Sequence, residues 1–483
     1  MTEIMSAREA VSLIKDGDVI GLSSFVGIAI PEAVHDAITA RYREAGSPNN
    51  LTIVSTAGSG CFDENRAAEP YIREGAVKKL VLGHSGSMLN TKRMMANGEI
   101  EAYNMPLGAM AHTIRTMASG MPGHLDKLGL GLFVDPRVEG PGLNEISKDD
   151  SMVKVVEVDG EEFLYYKLPR FDVAIMKASS VDINGNISYE NEPVIIDPLP
   201  MAQLTKANGG KVIIQVDKVL DTATEPRNVV VPNILVDAVV VAEPVASGEE
   251  VVVKRDNSVA NIIGKRASRE LKKGDIVNIG IGIPESVSKF AKEDGILEDI
   301  VMTVESGAIG GLPAAGAMFG SMIQPQMLYS MCSQFDFYDG GGLDICFMGG
   351  LEADRYGNVN AHRAEGAISG IGGFGNITSA TKIVVFCLTF NAKGLKAKEE
   401  DGKIKILQEG SIAKFNEKVR SVSFSGARAF ERGQKVLYVT ERCVFGLCES
   451  GLELVEIYPG IDLHKDVLYR LDFPVKVSDK LAE

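Results

Sequence analysis

The sequence predicts an α/β protein built as two related open domains, mostly parallel sheets with flanking helices, arranged as a pseudo-repeat. Three observations predict it. A strand–loop–helix unit occurs twice, a second strand-containing unit occurs twice in the same order, and several strands read as short unbroken runs of β-branched residues. Runs such as Val229-Val230-Val231 and Val239-Val240-Val241 suit strands covered on both faces, as in parallel sheets.

The first unit opens at Lys15-Asp16-Gly17-Asp18-Val19-Ile20, passes through a loop of small residues and continues as Ile30-Pro31-Glu32-Ala33-Val34. Its counterpart is Lys272-Lys273-Gly274-Asp275-Ile276-Val277, then Gly280-Ile281-Gly282, then Ile283-Pro284-Glu285-Ser286-Val287. Beyond each proline the apolar residues fall at equal offsets: Val34, Ala37 and Ile38, against Val287, Phe290 and Ala291. That spacing marks one helical face, with proline at the first position, where the missing N–H costs nothing. In the second pair, Asp172-Val173-Ala174-Ile175-Met176 matches Asp344-Ile345-Cys346-Phe347-Met348. Asp182 and Asp354 follow at equal distance, then Gly185-Asn186-Ile187 and Gly357-Asn358-Val359, then strands from Lys211 and Lys382.

The expected organisation is an N-terminal half over 1–246, a joint over 247–261 and a C-terminal half over 262–483. The halves are unequal, because the first spends residues 61–160 where the second keeps only the stretch between Glu305 and Asp344.

Composition narrows the function. In 483 residues, 65 Asp plus Glu outweigh 50 Lys plus Arg for a net charge of −15, a poor match for a phosphate backbone, so no nucleic-acid partner is expected. No leader is visible at Met1–Ser6 and no apolar run reaches the roughly 18 residues of a membrane span. No membrane association is expected, therefore, and a cytoplasmic location is. The six cysteines form no C-x-x-C pair and read as reduced, mostly buried thiols.

The segment Thr303-Val304-Glu305-Ser306-Gly307-Ala308-Ile309-Gly310-Gly311 carries the chemistry. An apolar strand delivers a carboxylate to its carboxyl end, the edge where open α/β sheets bind ligands. Aligned by strand, the first half has Thr56 where the second has Glu305, so the acid is no general feature of the unit. A glutamate that merely satisfies a loop is the alternative reading. Gly370-Ile371-Gly372-Gly373-Phe374-Gly375 fits G-x-G-x-x-G, yet its strand follows rather than precedes the glycines, which excludes a dinucleotide fingerprint. It remains a loop whose N–H groups can approach a ligand, as do Ser23–Ala29 and Gly280-Ile281-Gly282, although each could be a plain tight turn. No P-loop, H-E-x-x-H or nucleophile elbow occurs, and the six histidines show no ligand spacing, so no metal is expected. The acidic aromatic run Gln334–Gly342 could line a pocket near Glu305, or simply cover the second sheet. The charged tract Lys396–Lys405 reads as a solvated loop.

Taken in order, Asp16-Gly17 to Pro31, Gly131-Leu132-Phe133-Val134-Asp135-Pro136-Arg137, Glu305 to Gly311, Gln334 to Gly342 and Gly372-Gly373-Phe374 resemble family I coenzyme A transferases. The single-chain acetate/propionate type, with fused α and β halves, is the nearest in look. The resemblance spans nearly the whole chain. It implies a homo-oligomeric, cofactor-free enzyme that exchanges coenzyme A, its substrate, between short-chain acyl-CoA and a carboxylic acid of the acetate, propionate or butyrate class. It assigns Glu305 as covalent carrier, in ping-pong exchange through a glutamyl-CoA thioester. Gly27 and Gly373 are then expected to offer N–H groups to the oxyanion, and Gly280, Gly282 and Gly372 to approach the coenzyme. Where the family often has Gly-Gly-Phe and a glycine two residues before the proline, this chain has Ser23-Ser24-Phe25 and Ala29. The competing expectations are an acyl-CoA hydrolase on the same fold and a non-catalytic small-ligand sensor.

Overall fold

The structure, a computed structural model, describes residues 2–149, 151–245, 258–314 and 316–482. The first sheet runs in the spatial order Glu3–Ile4, Ala238–Val241, Lys211–Val219, Val173–Val181, Val19–Phe25, Leu51–Ala57, Val77–Leu82 and Glu101–Asn104. Every neighbour along that path is parallel. The second has a parallel centre, in the order Lys435–Val439, Ile383–Cys387, Ile345–Met348, Ile276–Ile279 and Val301–Val304. Antiparallel strands extend it on both sides.

The five central strands of the second sheet repeat the order of five in the first, and the repeat reaches individual hydrogen bonds. Asp172 accepts the Val19 N–H at 2.9 Å, and Asp344 accepts that of Ile276 at 3.0 Å. Asp182 then takes the N–H groups of Asn184 and Asn186 at 2.8 Å, as Asp354 takes those of Tyr356 and Asn358 at 3.0 Å. Aspartate closing a turn on its own backbone in this way explains why the two Asp positions recur at fixed spacing.

Local departures from the sequence reading have local causes. Pro31 caps the helix Glu32–Ala45 rather than starting it, while Pro284 lies in a 3₁₀ turn, Ile283–Glu285, ahead of the helix Ser286–Glu293. Val229–Val231 is not in the main sheet order; it pairs with Ile187–Ser188, and two of its valines are only half-buried. Lys396–Lys405 is no loop, because Lys396–Glu400 and Lys403–Gln408 pair as an antiparallel hairpin. Of the joint expected at 247–261, residues 247–257 lie outside the described residues, and 258–261 begin the helix Ser258–Ala267, anchored by buried Val259, Ile262 and Ile263.

The long insertion in the first half supplies two strands and the helix Leu107–Ala118. The insertion's strands His124–Asp126 and Val153–Val158 join Glu161–Tyr166, just beyond it, in a three-stranded antiparallel sheet. That helix lies on the second half, and one buried apolar cluster containing Met110, Ile114, Phe335 and Phe374 crosses the seam. The Gly131–Arg137 block also belongs to the seam. Asp135 grips the Gly131 N–H and the Arg137 guanidinium, Phe133 donates its N–H to Val422 at 2.8 Å, and its ring stacks on His362 at 4.1 Å. All six cysteines are free, four of them buried. Among the described residues no helix is long and apolar enough to cross a membrane.

Candidate active site

Glu305 sits at the tip of a hairpin. Val301–Val304 turns through Glu305, Ser306 and Gly307 and returns as Ala308–Ile309, with Val304 opposite Ala308. Gly307 is required there: its φ is +110°, and a Cβ would lie 2.0 Å from the Tyr329 carbonyl oxygen. The glycines after the acid therefore make a tight return rather than a ligand cradle. Strand register places Thr52 against Val19 and Val301 against Ile276, so Thr56 is indeed the counterpart of Glu305.

The supporting strand is fixed from behind. The Tyr338 hydroxyl, on the helix Met331–Asp339, donates to Thr303 Oγ1 at 2.8 Å, and Thr303 Oγ1 donates to the Val277 carbonyl at 3.0 Å. Asn278 Nδ2 adds a bond to the Thr303 carbonyl at 3.1 Å. Gln334, one turn before Tyr338, is fully buried, and its amide meets no partner at hydrogen-bonding geometry.

In front, the carboxyl faces the other glycine loop. A Cβ on Gly373 would stand 3.2 to 3.4 Å from Cβ, Cγ and Cδ of Glu305, so only glycine leaves this space open. The loop is held by the first half: the Gly372 N–H donates to the Gly83 carbonyl at 2.8 Å, the Leu107 N–H to the Gly372 carbonyl at 3.0 Å, and the Ile371 N–H to Asn104 Oδ1 at 3.0 Å. Glu305 and its partner loop thus meet at the seam of the two halves. His84 lies against Gly372, and burial together with nearby Lys92 pushes its pKa down to about 4, leaving a neutral imidazole. Nothing local in the sequence marks His84, since its neighbour lies far along the chain.

Burial raises the Glu305 pKa above the usual glutamate value, opposed in part by its own backbone N–H. Among the described residues no cation pairs with it. A carboxylate without an ion pair, in a partly desolvated place, retains its nucleophilicity.

The other expected residues divide. Gly372 and Gly373 are brought to Glu305, but the Gly372 N–H is spent on Gly83, so only Gly373 of this pair is left to offer an N–H. Gly27 is buried in the turn Phe25–Ile28, whose ends exchange hydrogen bonds of 2.9 and 3.0 Å. That turn reaches the hairpin through Phe25: the ring occupies the space above Gly320, and the Gly320 carbonyl accepts from Ser306 Oγ. Gly280 cannot serve as an N–H donor to coenzyme A, because its N–H completes the sheet to the Phe347 carbonyl at 2.8 Å. Gly282, with φ +84° and no atom near a built Cβ, is exposed at the end of the neighbouring strand.

The chain is similar over nearly its whole length to known proteins. The sequence model described as coenzyme A transferase matches residues 4–242 and 260–467. The chain is 39% identical over 500 residues to the acetate CoA-transferase YdiF of Escherichia coli K12, covering 99% of this chain and 93% of that protein. It is 38% identical over 508 residues to the caffeate CoA-transferase of Acetobacterium woodii, covering 100% and 96%. The solved acyl-CoA transferase YdiF of E. coli O157:H7 superposes at a TM-score of 0.93 as apoenzyme, with 38% identity, 100% of this chain and 95% of that one. Its thioester complex with CoA superposes at 0.92, with the same identity and coverage.

Proposed function

The chain belongs to the coenzyme A transferase family and transfers coenzyme A between an acyl-CoA and a carboxylic acid; from that premise we propose that Glu305 is the covalent carrier. The observation that carries this is the Glu305 carboxyl at a hairpin tip, packed against Gly373 with no ion-pair partner among the described residues. A thioester complex with CoA of the YdiF protein supports a thioester stage here.

The steps balance without an external energy source. The Glu305 carboxylate adds to the acyl-CoA carbonyl carbon, the C–S bond breaks, and CoA leaves as thiolate with a mixed anhydride on the enzyme. The thiolate then adds to the glutamyl carbonyl, expelling the donor acid as its carboxylate and leaving a glutamyl-CoA thioester. An acceptor carboxylate runs the same steps in reverse and departs as acyl-CoA. Donor, carrier and acceptor are all carboxylic acids, so no cofactor is needed. Each tetrahedral intermediate carries an oxyanion, and the Gly373 N–H, with Gly27 as the second candidate, is placed in this reading to receive it.

We further propose short-chain acids as substrates, supported by the acetate relative, a homo-oligomeric state and a cytoplasmic location, supported by the free cysteines. Incubation with acetyl-CoA and no acceptor, followed by digestion, is expected to place the CoA mass on the Glu305 peptide. The Glu305→Ala protein should lose transfer by roughly 10⁴-fold. An unmodified peptide with transfer intact would overturn the assignment. CoA release that needs no added acid would favour hydrolysis instead, and a panel of acetate, propionate, butyrate, lactate and caffeate tests the acyl preference.

A further inference from the structure

We propose that the seam between the halves carries a divalent-cation site of the zinc type, formed by His112, His124 and Asp126, with Asp339 of the other half next to His112. His112 comes from the helix Leu107–Ala118, His124 and Asp126 from the short strand after it, and Asp339 from the last turn of Met331–Asp339 in the other half. One ligand atom each from His112, His124 and Asp126 lies within 4.8 Å of the others. His124 Nε2 stands 3.7 Å from Asp126 Oδ2, and His112 Nδ1 stands 3.8 Å from Asp339 Oδ2. Tetrahedral zinc with bonds of about 2.0–2.2 Å holds its donors roughly 3.3–3.5 Å apart, so the group closes by up to about 1.5 Å around the ion, with a water as fourth ligand.

Three features favour a cation over a plain polar cluster. First, both partners of His112 Nε2 are acceptors, the Cys332 carbonyl at 3.3 Å and the Asp336 carboxylate at 3.1 Å. That nitrogen therefore carries the hydrogen, which leaves the Nδ1 lone pair, 3.8 Å from Asp339 Oδ2, as the ligand atom. A metal-bound histidine is held in this way, with its other N–H on a carboxylate or carbonyl. Second, the outer groups are themselves fixed. Arg115 grips Asp336 through two bonds of 2.7 and 3.1 Å, and Asn376 Nδ2 reaches both oxygens of Asp339 at 3.0 Å. Third, Arg115 is committed to Asp336, and among the described residues neither Asp126 nor Asp339 pairs with a Lys or Arg; their charged partners are only the two histidines. A dication supplies the missing charge, and half-buried His124 and Asp126 leave it a way in.

The role assigned is a brace between the halves and not a part in the transfer. Asn376 lies on the helix Phe374–Ala380, which begins beside Gly373 and holds Asp339 against His112, so a cation that fixes His112 stiffens the support of that loop. The test uses the full chain, stripped with a chelator and titrated with Zn²⁺ alone by calorimetry, with Co²⁺ as an optical probe. One Zn²⁺ per chain at micromolar or tighter affinity, a raised melting temperature and visible Co²⁺ d–d bands of a four-coordinate site are expected. His124→Ala and, as a volume-conserving variant, Asp126→Asn should each weaken binding at least about 100-fold. Absence of stoichiometric uptake by the wild-type chain, or equal affinity in Asp126→Asn, would overturn the site. Neither result bears on the Glu305 assignment, which the trapped thioester reads separately.

Discussion

Residue positions decide the chemistry, and Gly373 is the sharpest case. Its backbone, at φ −78° and ψ −6°, suits alanine, so Gly373→Ala should leave thermal stability nearly unchanged. The added methyl would nevertheless press on Glu305, which must give by a few tenths of an ångström; a full shift of about 1 Å in a reacting group costs on the order of 100-fold, so with Glu305 as the proposed carrier kcat is expected to fall by up to about that factor. Steady-state kinetics beside a melting curve separates the two effects. As the proposed carrier, Glu305 sets the acid side of the pH profile. Only the ionised carboxyl attacks, and burial holds its proton to a higher pH than the ordinary 4.5. kcat/KM for acyl-CoA is therefore expected to rise with pH through a midpoint above that value, and a midpoint at or below it would contradict the desolvated setting.

At the scale of elements, the loops deliver what the strands only aim. The turn after Val19–Phe25 keeps left-handed backbone at Val26, φ +52°, and at Ala29, φ +54°. Ala29 occupies the position where the family often has glycine, and it retains the glycine-like conformation with a side chain attached. Left-handed backbone costs a non-glycine residue about 1–2 kcal/mol. Ala29→Gly should accordingly raise the melting temperature with transfer activity retained, as differential scanning calorimetry and the transfer assay would show. The element scale also explains what was and was not legible. Glu305 could be recognised because strand, acid and glycines are contiguous. Gly280 looked like a ligand loop, yet its N–H belongs to the sheet, a commitment visible only once Phe347 is known to be its neighbour.

For the whole molecule, the net charge of −15 opposes anionic acyl-CoA at a distance. Raising ionic strength from about 20 to about 200 mM shortens the Debye length from roughly 20 to 7 Å, so kcat/KM should hold or rise by up to a few-fold. A steep fall would show that local cations dominate capture. The sequence by itself determined the repeat, the sheet class and the candidate acid, because each is written in residues close along the chain: β-branched runs, Asp-closed turns, a carboxylate at a strand end. Only the tertiary structure decided which loop faces that acid and which side chains gather behind it. Gly373 and Glu305 are 68 positions apart, and His112 and Asp339 are 227 apart. Such contacts follow from packing one half on the other, which no local periodicity encodes.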